Sequence, residues 1–461
     1  MTSTDLLLCT GTRVLLPGED DLVEASLLID RQSGKIIDVQ RGLKTPDQFG
    51  VNQTLVEWIQ AGNNVVLPGL VDAHVHLNEP GRTAWEGFRT GTTAAVSGGV
   101  TTLVDMPLNS IPPTTTVPNL EAKRSAAVGQ CHTDVAFWGG VIPGNQTHLK
   151  SLIRAGVRGF KCFLIESGVD EFPSVGKEDL DLAVKELEDT GSVLLFHAEF
   201  QESPPVERTS TDPCEYSTFL SSRPQKLETD AISLIIDLLK RHPKLRCHIV
   251  HLSAASALPI IRQARNEGLP LTVETCFHYL CLDAEDIPAG HTEFKCCPPV
   301  RESSNRDQLW EALKEGLIDC VVSDHSPCVI PLKRLEEGNF MEAWGGISAL
   351  GFGLSLLWTE GSRRHVSLRQ IVDLMSSRTA HHAGLGYLKG QLKVGYDGDF
   401  ILWDPDAEFQ VSNDLLKYKN KISPYTGMKL RGRVLRTYLR GRLAFDCECG
   451  FQAVLPSGKL L

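Results

Sequence analysis

Apolar positions along this chain fall into two textures. Between about Leu67 and Leu388, short apolar runs of strand length alternate with longer stretches whose apolar residues recur every three to four positions. The runs LVDAHVH, TTLVDMP, VAFWGGV, GFKCFL, VLLFHAE, CHIVHLS, LTVETCF and CVVSDHS give eight strand candidates. Between them, KEDLDLAVKELEDTG and ETDAISLIIDLLKRH carry the 3.6-residue spacing of helices with one buried face. Eight βα units in series predict an α/β protein built as a closed (β/α)8 TIM-type barrel rather than an open doubly wound sheet. No glycine-rich phosphate loop follows the first strand, which counts against a dinucleotide-binding fold.

Both chain ends have the second texture, short β-rich runs broken by turn residues. EASLLIDRQSGKIIDV reads as a hairpin turning at Ser33-Gly34, and GQLKVGYDGDFILWD and RGRVLRTYLRGRLAFD repeat the pattern near the other end. The expected organisation is one small β-sandwich-like domain split between residues 1–66 and 389–461, flanking a barrel over 67–388.

Composition changes this picture little. With 461 residues, 42% hydrophobic and 22% charged, the chain has an ordinary globular balance and length for a large core. A formal charge of −11 repels phosphate backbones, so no nucleic-acid partner is expected. Thirteen scattered cysteines without a CxxC pair fit free thiols in a reducing compartment. The start shows neither a basic leader nor a long apolar run, and no stretch approaches the ~20 apolar residues of a membrane span. The expectation is an intracellular, cytoplasmic chain with no membrane partner.

Chemistry enters at the carboxyl ends of the strands, where such barrels place their reactive groups. His74 and His76 are two apart on an extended strand and so share a face. Lys161, His197, His251 and Asp324 belong to four further strand candidates. Singly these have plain structural readings: core histidines, an ion-paired lysine, or a helix cap for Asp324. Together, four imidazoles, a lysine and a carboxylate in one mouth are costly to bury without a metal to pair them. A buried lysine is driven toward the neutral amine, which can add CO₂ to give a carbamate that bridges two cations.

The motif VDAHVHLNEPGRTAWEGF, with GFK, FHAE, IVHLS and VVSDHSP, resembles the cyclic amidohydrolases of the urease-related superfamily, which include dihydroorotases, hydantoinases or dihydropyrimidinases, and allantoinases. The resemblance spans essentially the whole chain. It implies two divalent metal ions, zinc in the family pattern. His74 and His76 would hold one, His197 and His251 the other. Lys161 would bridge both as N6-carboxylysine, and Asp324 would complete the first site and act as the catalytic acid/base. HLNEPGRTxWEGF, DMPLN, ETCFHYL and FKCCPP are most similar to the allantoinases, the fungal type especially. Asn78 stands where dihydroorotases carry a carboxylate-gripping arginine, which fits a neutral substrate such as allantoin. The implied reaction opens the hydantoin ring to allantoate by a hydroxide shared between the metals. A hydantoinase or dihydropyrimidinase is the alternative; a dihydroorotase or a non-enzymatic scaffold follows behind. Asn78 and Asn109 are candidate substrate contacts, with loop capping as their structural alternative. His278 is expected to support a metal ligand from behind, and relatives suggest a homotetramer.

Overall fold

A computed structural model describes residues 5–201, 211–451 and 455–461. The architecture is α/β with parallel sheets. Strands Leu70–Val75, Val100–Asp105 and Asp134–Phe137 form a three-stranded parallel sheet. Gly139–Gly140, Phe160–Phe163, Val193–His197, Arg246–Ile249, Leu271–Cys276 and Cys320–Val322 form a six-stranded parallel sheet in chain order. The chain passes from one sheet to the other through Trp138, whose N–H donates to Asp105 O at 3.0 Å. On the opposite flank Val75 pairs in parallel with His325, and His76 N–H donates to His325 O at 2.9 Å.

Strands buried on both faces need covering on both faces, and amphipathic crossover helices supply it. In the helix Lys226–Arg241, Leu227, Ala231, Ile232, Ile235, Leu238 and Leu239 recur at helical spacing and are buried, while Lys240 and Arg241 sit in the last turn, where cations suit the helix dipole. The helix Lys177–Leu187 buries Leu180, Ala183, Val184 and Leu187 in the same way, and Asp179 accepts the Gly176 N–H at 2.9 Å.

A mixed sheet draws on both chain ends. Val65–Pro68 joins its halves, pairing in parallel with Leu6–Val14 on one side and antiparallel with Phe400–Gln410 on the other. The expected hairpin forms from Val23–Asp30 and Lys35–Arg41, with Gly34 at φ 76° in its turn, a left-handed value that suits glycine. A buried ion network ties this sheet to the parallel strands. Lys389 Nζ lies 2.5 Å from Asp134, 2.8 Å from Asp397 and 2.7 Å from Asp399, and Arg440 also bonds Asp134. The thirteen cysteines are free thiols. No helix among the described residues is long and apolar enough to cross a membrane.

Candidate active site

The carboxyl ends of the parallel strands surround a cavity of about 230 Å³ lined by His74, His76, Asn109, Lys161, His197, His251 and Asp324, with Phe163, Arg223, Lys295, Cys297 and Trp344 among its walls. The ring centroids of His74 and His76 are 5.6 Å apart, those of His74 and His251 5.4 Å, and those of His197 and His251 4.6 Å. Asp324 Oδ1 lies 3.2 Å from His74 Nε2 and 3.6 Å from His76 Nε2. Pairing of Phe163 with His197 across adjacent strands stacks their rings at 4.6 Å and fixes the imidazole plane. His251 and Asp324 sit at φ 41° and 42°, left-handed values that cost a residue bearing Cβ some backbone strain, though histidine and aspartate visit them more readily than most. The strain turns both groups into the mouth at the points where their strands end.

Partners behind the cavity fix which ring nitrogen faces it. Glu274 Oε1 lies 2.5 Å from His74 Nδ1, leaving Nε2 toward Asp324. Glu199 Oε2 lies 2.7 Å from His197 Nε2, leaving Nδ1 as the free donor of that ring. The Asn109 amide nitrogen is 3.3 Å from His76 Nδ1; turned over, the amide oxygen would accept Nδ1–H and leave Nε2 for a cation.

Electrostatics follow this arrangement. Burial alone would push the His74 pKa down, but the charges of Asp324 and Glu274 outweigh it and hold it up at about 9. Burial favours a neutral Asp324, yet His74 and His76 keep its carboxyl well below the usual range. Burial, with Lys161 and His197 nearby, drives His251 far below its ordinary value. Lys161 is brought down to about 8 by burial, against the pull of Asp324 and Glu274.

Lys161 is also the test of whether a metal fits. Lys123 is buried against Asp105 at 2.6 Å, and Lys389 against three aspartates. Lys295 and Lys333 donate to main-chain carbonyls. Lys161, 1% exposed, has no carboxylate or carbonyl partner among the described residues; its ammonium lies 5.2 Å from the Phe163 ring. His251 Nδ1 and both nitrogens of His278 are buried without partners as well. Ligand atoms of His74, His76 and Asp324 lie within 4.8 Å of one another. An imidazole and carboxylate set of this kind, beside unpaired buried donors, suits a divalent transition metal.

The sequence-expected residues do not all reach the cavity. Asn109 lines it, at φ 66°. Asn78, at φ 62°, lies outside the lining, donates to Pro327 O at 3.3 Å and leaves Oδ1 buried without a partner. His278 sits behind Asp324, with ligand atoms of Cys276, His278 and Asp324 within 4.8 Å of one another. His325 turns away to Glu86 at 3.2 Å. His248 lies outside the cavity lining but bonds Glu274 at 3.1 Å and so joins the support of His74. Sequence reasoning passed over Glu199, Arg223 and Glu274. Glu199 is two residues beyond His197 on extended chain, and Glu274 is an acid inside the apolar run LTVETCF; both are signals that could have been read. Arg223 lies in a loop with no local pattern around it.

The amidohydrolase family model matches residues 65–444. The chain belongs to the amidohydrolase family. An allantoinase of Saccharomyces cerevisiae is 48% identical to this amidohydrolase over 456 residues, covering 98% of each chain. A mitochondrial allantoinase of Aquarana catesbeiana is 56% identical over 335 residues, 73% of this chain and 69% of that one. Among solved structures, a dihydropyrimidinase from Brevibacillus agri superposes with a TM-score of 0.86 at 27% identity, covering 99% of this amidohydrolase and 98% of that chain. An L-hydantoinase from Arthrobacter aurescens gives 0.84 at 27% identity, with 99% and 97% covered. Family and donor set together support a divalent metal in this amidohydrolase.

Proposed function

We propose that the chain hydrolyses the hydantoin-ring amide of allantoin to give allantoate. The observation that carries the reading is the buried, unpartnered Lys161 within a ring of four histidines and Asp324. The full-length likeness to allantoinases supplies the substrate. On this reading the two parallel sheets, joined through Trp138 and by the Val75–His325 pairing, form one (β/α)8 barrel over 67–388. Residues 1–66 and 389–461 make the split β domain, and the assembly is a homotetramer. Thirteen free thiols suit the cytoplasm.

His74, His76 and Asp324 would hold one zinc ion and His197 and His251 the second, with Lys161, as its CO₂ carbamate, reaching both. When bound, the two cations supply Lewis acidity that lowers the pKa of water and polarises a carbonyl. Asp324, held ionised by the imidazoles beside it, is the base that takes a proton from the attacking water. It then passes that proton to the departing ring nitrogen. The carbon–nitrogen bond breaks, the nitrogen keeps the proton, and the carbon keeps the water oxygen as a carboxylic acid, whose remaining proton is released to solvent to leave the carboxylate. Asn109 lines the cavity beside His76 and would hold a substrate carbonyl. His278, near Asp324 but with neither ring nitrogen bonded, would support it once the cations are held.

The structural likeness to a dihydropyrimidinase favours one second reading, a hydantoinase. Turnover of allantoin, hydantoin and dihydrouracil by the purified protein, with and without a chelator, separates the two. Allantoin is expected to be fastest, with activity lost on chelation and restored by a divalent metal. Faster opening of dihydrouracil, or indifference to chelation, would overturn the proposal.

A further inference from the structure

We propose that Arg223 is the specificity-determining residue that holds the ureido arm on the ring; this rests on the allantoin reading above. Most polar groups in the cavity wall are already engaged. The histidines, Lys161 and Asp324 form the candidate metal centre. Lys295 Nζ donates to the carbonyls of Met341 at 3.2 Å and Ala343 at 2.6 Å. Ser167 Oγ donates to Val169 O and Phe172 O at 3.2 and 2.6 Å. Glu166 stands exposed at the rim, where it disfavours an anionic arm, and Glu342, exposed beside it, is paired with Arg334 at 2.8 Å.

Arg223 differs from these. One guanidinium nitrogen, Nη1, bonds Glu199 Oε2 at 2.5 Å, the remaining N–H groups have no hydrogen-bond partner among the described residues, and Arg223 lines the cavity. Its side chain is 21% exposed, enough for a ligand to reach. Glu199, fully buried, also holds His197 at 2.7 Å, so the guanidinium stands one carboxylate away from a candidate metal ligand. In 5-ureidohydantoin the arm is attached to the ring carbon next to the attacked carbonyl. A ring seated over the histidines therefore carries the arm within reach of a group flanking them. The Glu199–Arg223 pair carries no net charge, so the free N–H fork suits a neutral urea carbonyl rather than a carboxylate.

The test compares wild type, Arg223→Met and Arg223→Lys by the KM for allantoin and by the inhibition constant of unsubstituted hydantoin against allantoin, so no hydantoin turnover is needed. Metal content is measured alongside. In Arg223→Met the ratio of KM for allantoin to Ki for hydantoin should rise about 10- to 100-fold, the worth of a charged hydrogen bond, with KM moving more than kcat. Arg223→Lys keeps the charge but not the fork, and should rise severalfold; it carries the test if the Met variant fails to fold. A ratio within twofold of wild type in the folded variants would overturn the role of Arg223 alone. A wild type without allantoin turnover would overturn the allantoin reading and this inference with it.

Discussion

Replacing Glu274 isolates what a carboxylate behind a candidate cation ligand contributes. Its two oxygens serve different rings: Oε1 lies 2.5 Å from His74 Nδ1 and Oε2 lies 3.1 Å from His248 Nε2, with all three side chains at most 1% exposed. Glutamine keeps the shape. Its carbonyl can accept from His74 Nδ1–H, and its NH₂ can donate to His248 if that ring moves its proton to Nδ1, where Thr272 Oγ1 lies at 2.7 Å to receive it. Glu274→Gln therefore removes the charge but not the geometry, and cation affinity should fall about tenfold, the lower end for partners of this kind. Glu274→Ala strips both rings of their acceptor. Affinity should then fall by about 100-fold, and each orphaned imidazole N–H costs about 1–3 kcal/mol of stability.

The assay is chelator competition for the metal, with the absorption spectrum of the cobalt-substituted protein reporting ligand geometry and melting of the metal-free protein reporting the fold. The Gln variant should keep the cobalt spectrum while losing affinity; the Ala variant should change both. Equal metal affinity in wild type and both variants, with only the melting temperature moving, would refute the argument and leave Glu274 as a packing residue.

Three further outcomes follow from the same geometry. Asp324→Asn should retain much of its metal through the histidines yet lose about 10²- to 10⁴-fold in kcat, because the amide cannot take the water proton; steady-state turnover with metal analysis checks it, and near-normal kcat would remove Asp324 from the role. In the metal-free protein His74 is held up at about 9 against an ordinary 6.5, so its contribution to stability is fully present below pH 6.5 and is lost as pH rises through about 9. A cation must displace that proton, so its affinity rises over this window, and calorimetry near pH 7 in buffers of different ionisation enthalpy should detect proton release; none would contradict the assignment. Lys389→Met leaves Asp134, Asp397 and Asp399 with, among the described residues, Arg440 and Lys35 as countercharges and should cost about 3–5 kcal/mol in urea unfolding, whereas an unchanged midpoint would show the network to be inert.

The strands were legible because each is an apolar run of strand length between turn signals. GFKCFL contains the observed Phe160–Phe163, and ETDAISLIIDLLKRH lies within two residues of Lys226–Arg241 at its start. His74 and His76 were legible through the two-residue period of extended chain. The support behind them was harder to see. Glu274 meets His74 from 200 residues away, and Arg223 meets Glu199 from 24 residues away, so neither contact has a local signature. Backbone strain at His251 and Asp324 was illegible for another reason. Glycine and asparagine announce a left-handed conformation most often, as Asn78 and Asn109 do; histidine and aspartate also visit it, but too seldom for the residue type alone to mark the position.

The distribution of carboxylates around the cavity bears on why Lys161 stands alone. His74 is backed by Glu274 and His197 by Glu199, which raises the basicity of each ring toward a cation. His251 shares Glu274 through its backbone N–H at 3.3 Å. A carboxylate in hydrogen-bond contact with the Lys161 ammonium would hold it protonated, as the aspartates around Lys389 hold that amine well above its ordinary value. A protonated amine cannot add CO₂, and a carbamate formed beside that carboxylate would be repelled by it. Among the described residues Lys161 has no direct anionic partner, which on the proposed reading would leave the amine free to add CO₂ and its place open to the carbamate's charge. The same protein that pairs Lys389 with three aspartates thus omits one here, and the omission is what a bridging carbamate requires.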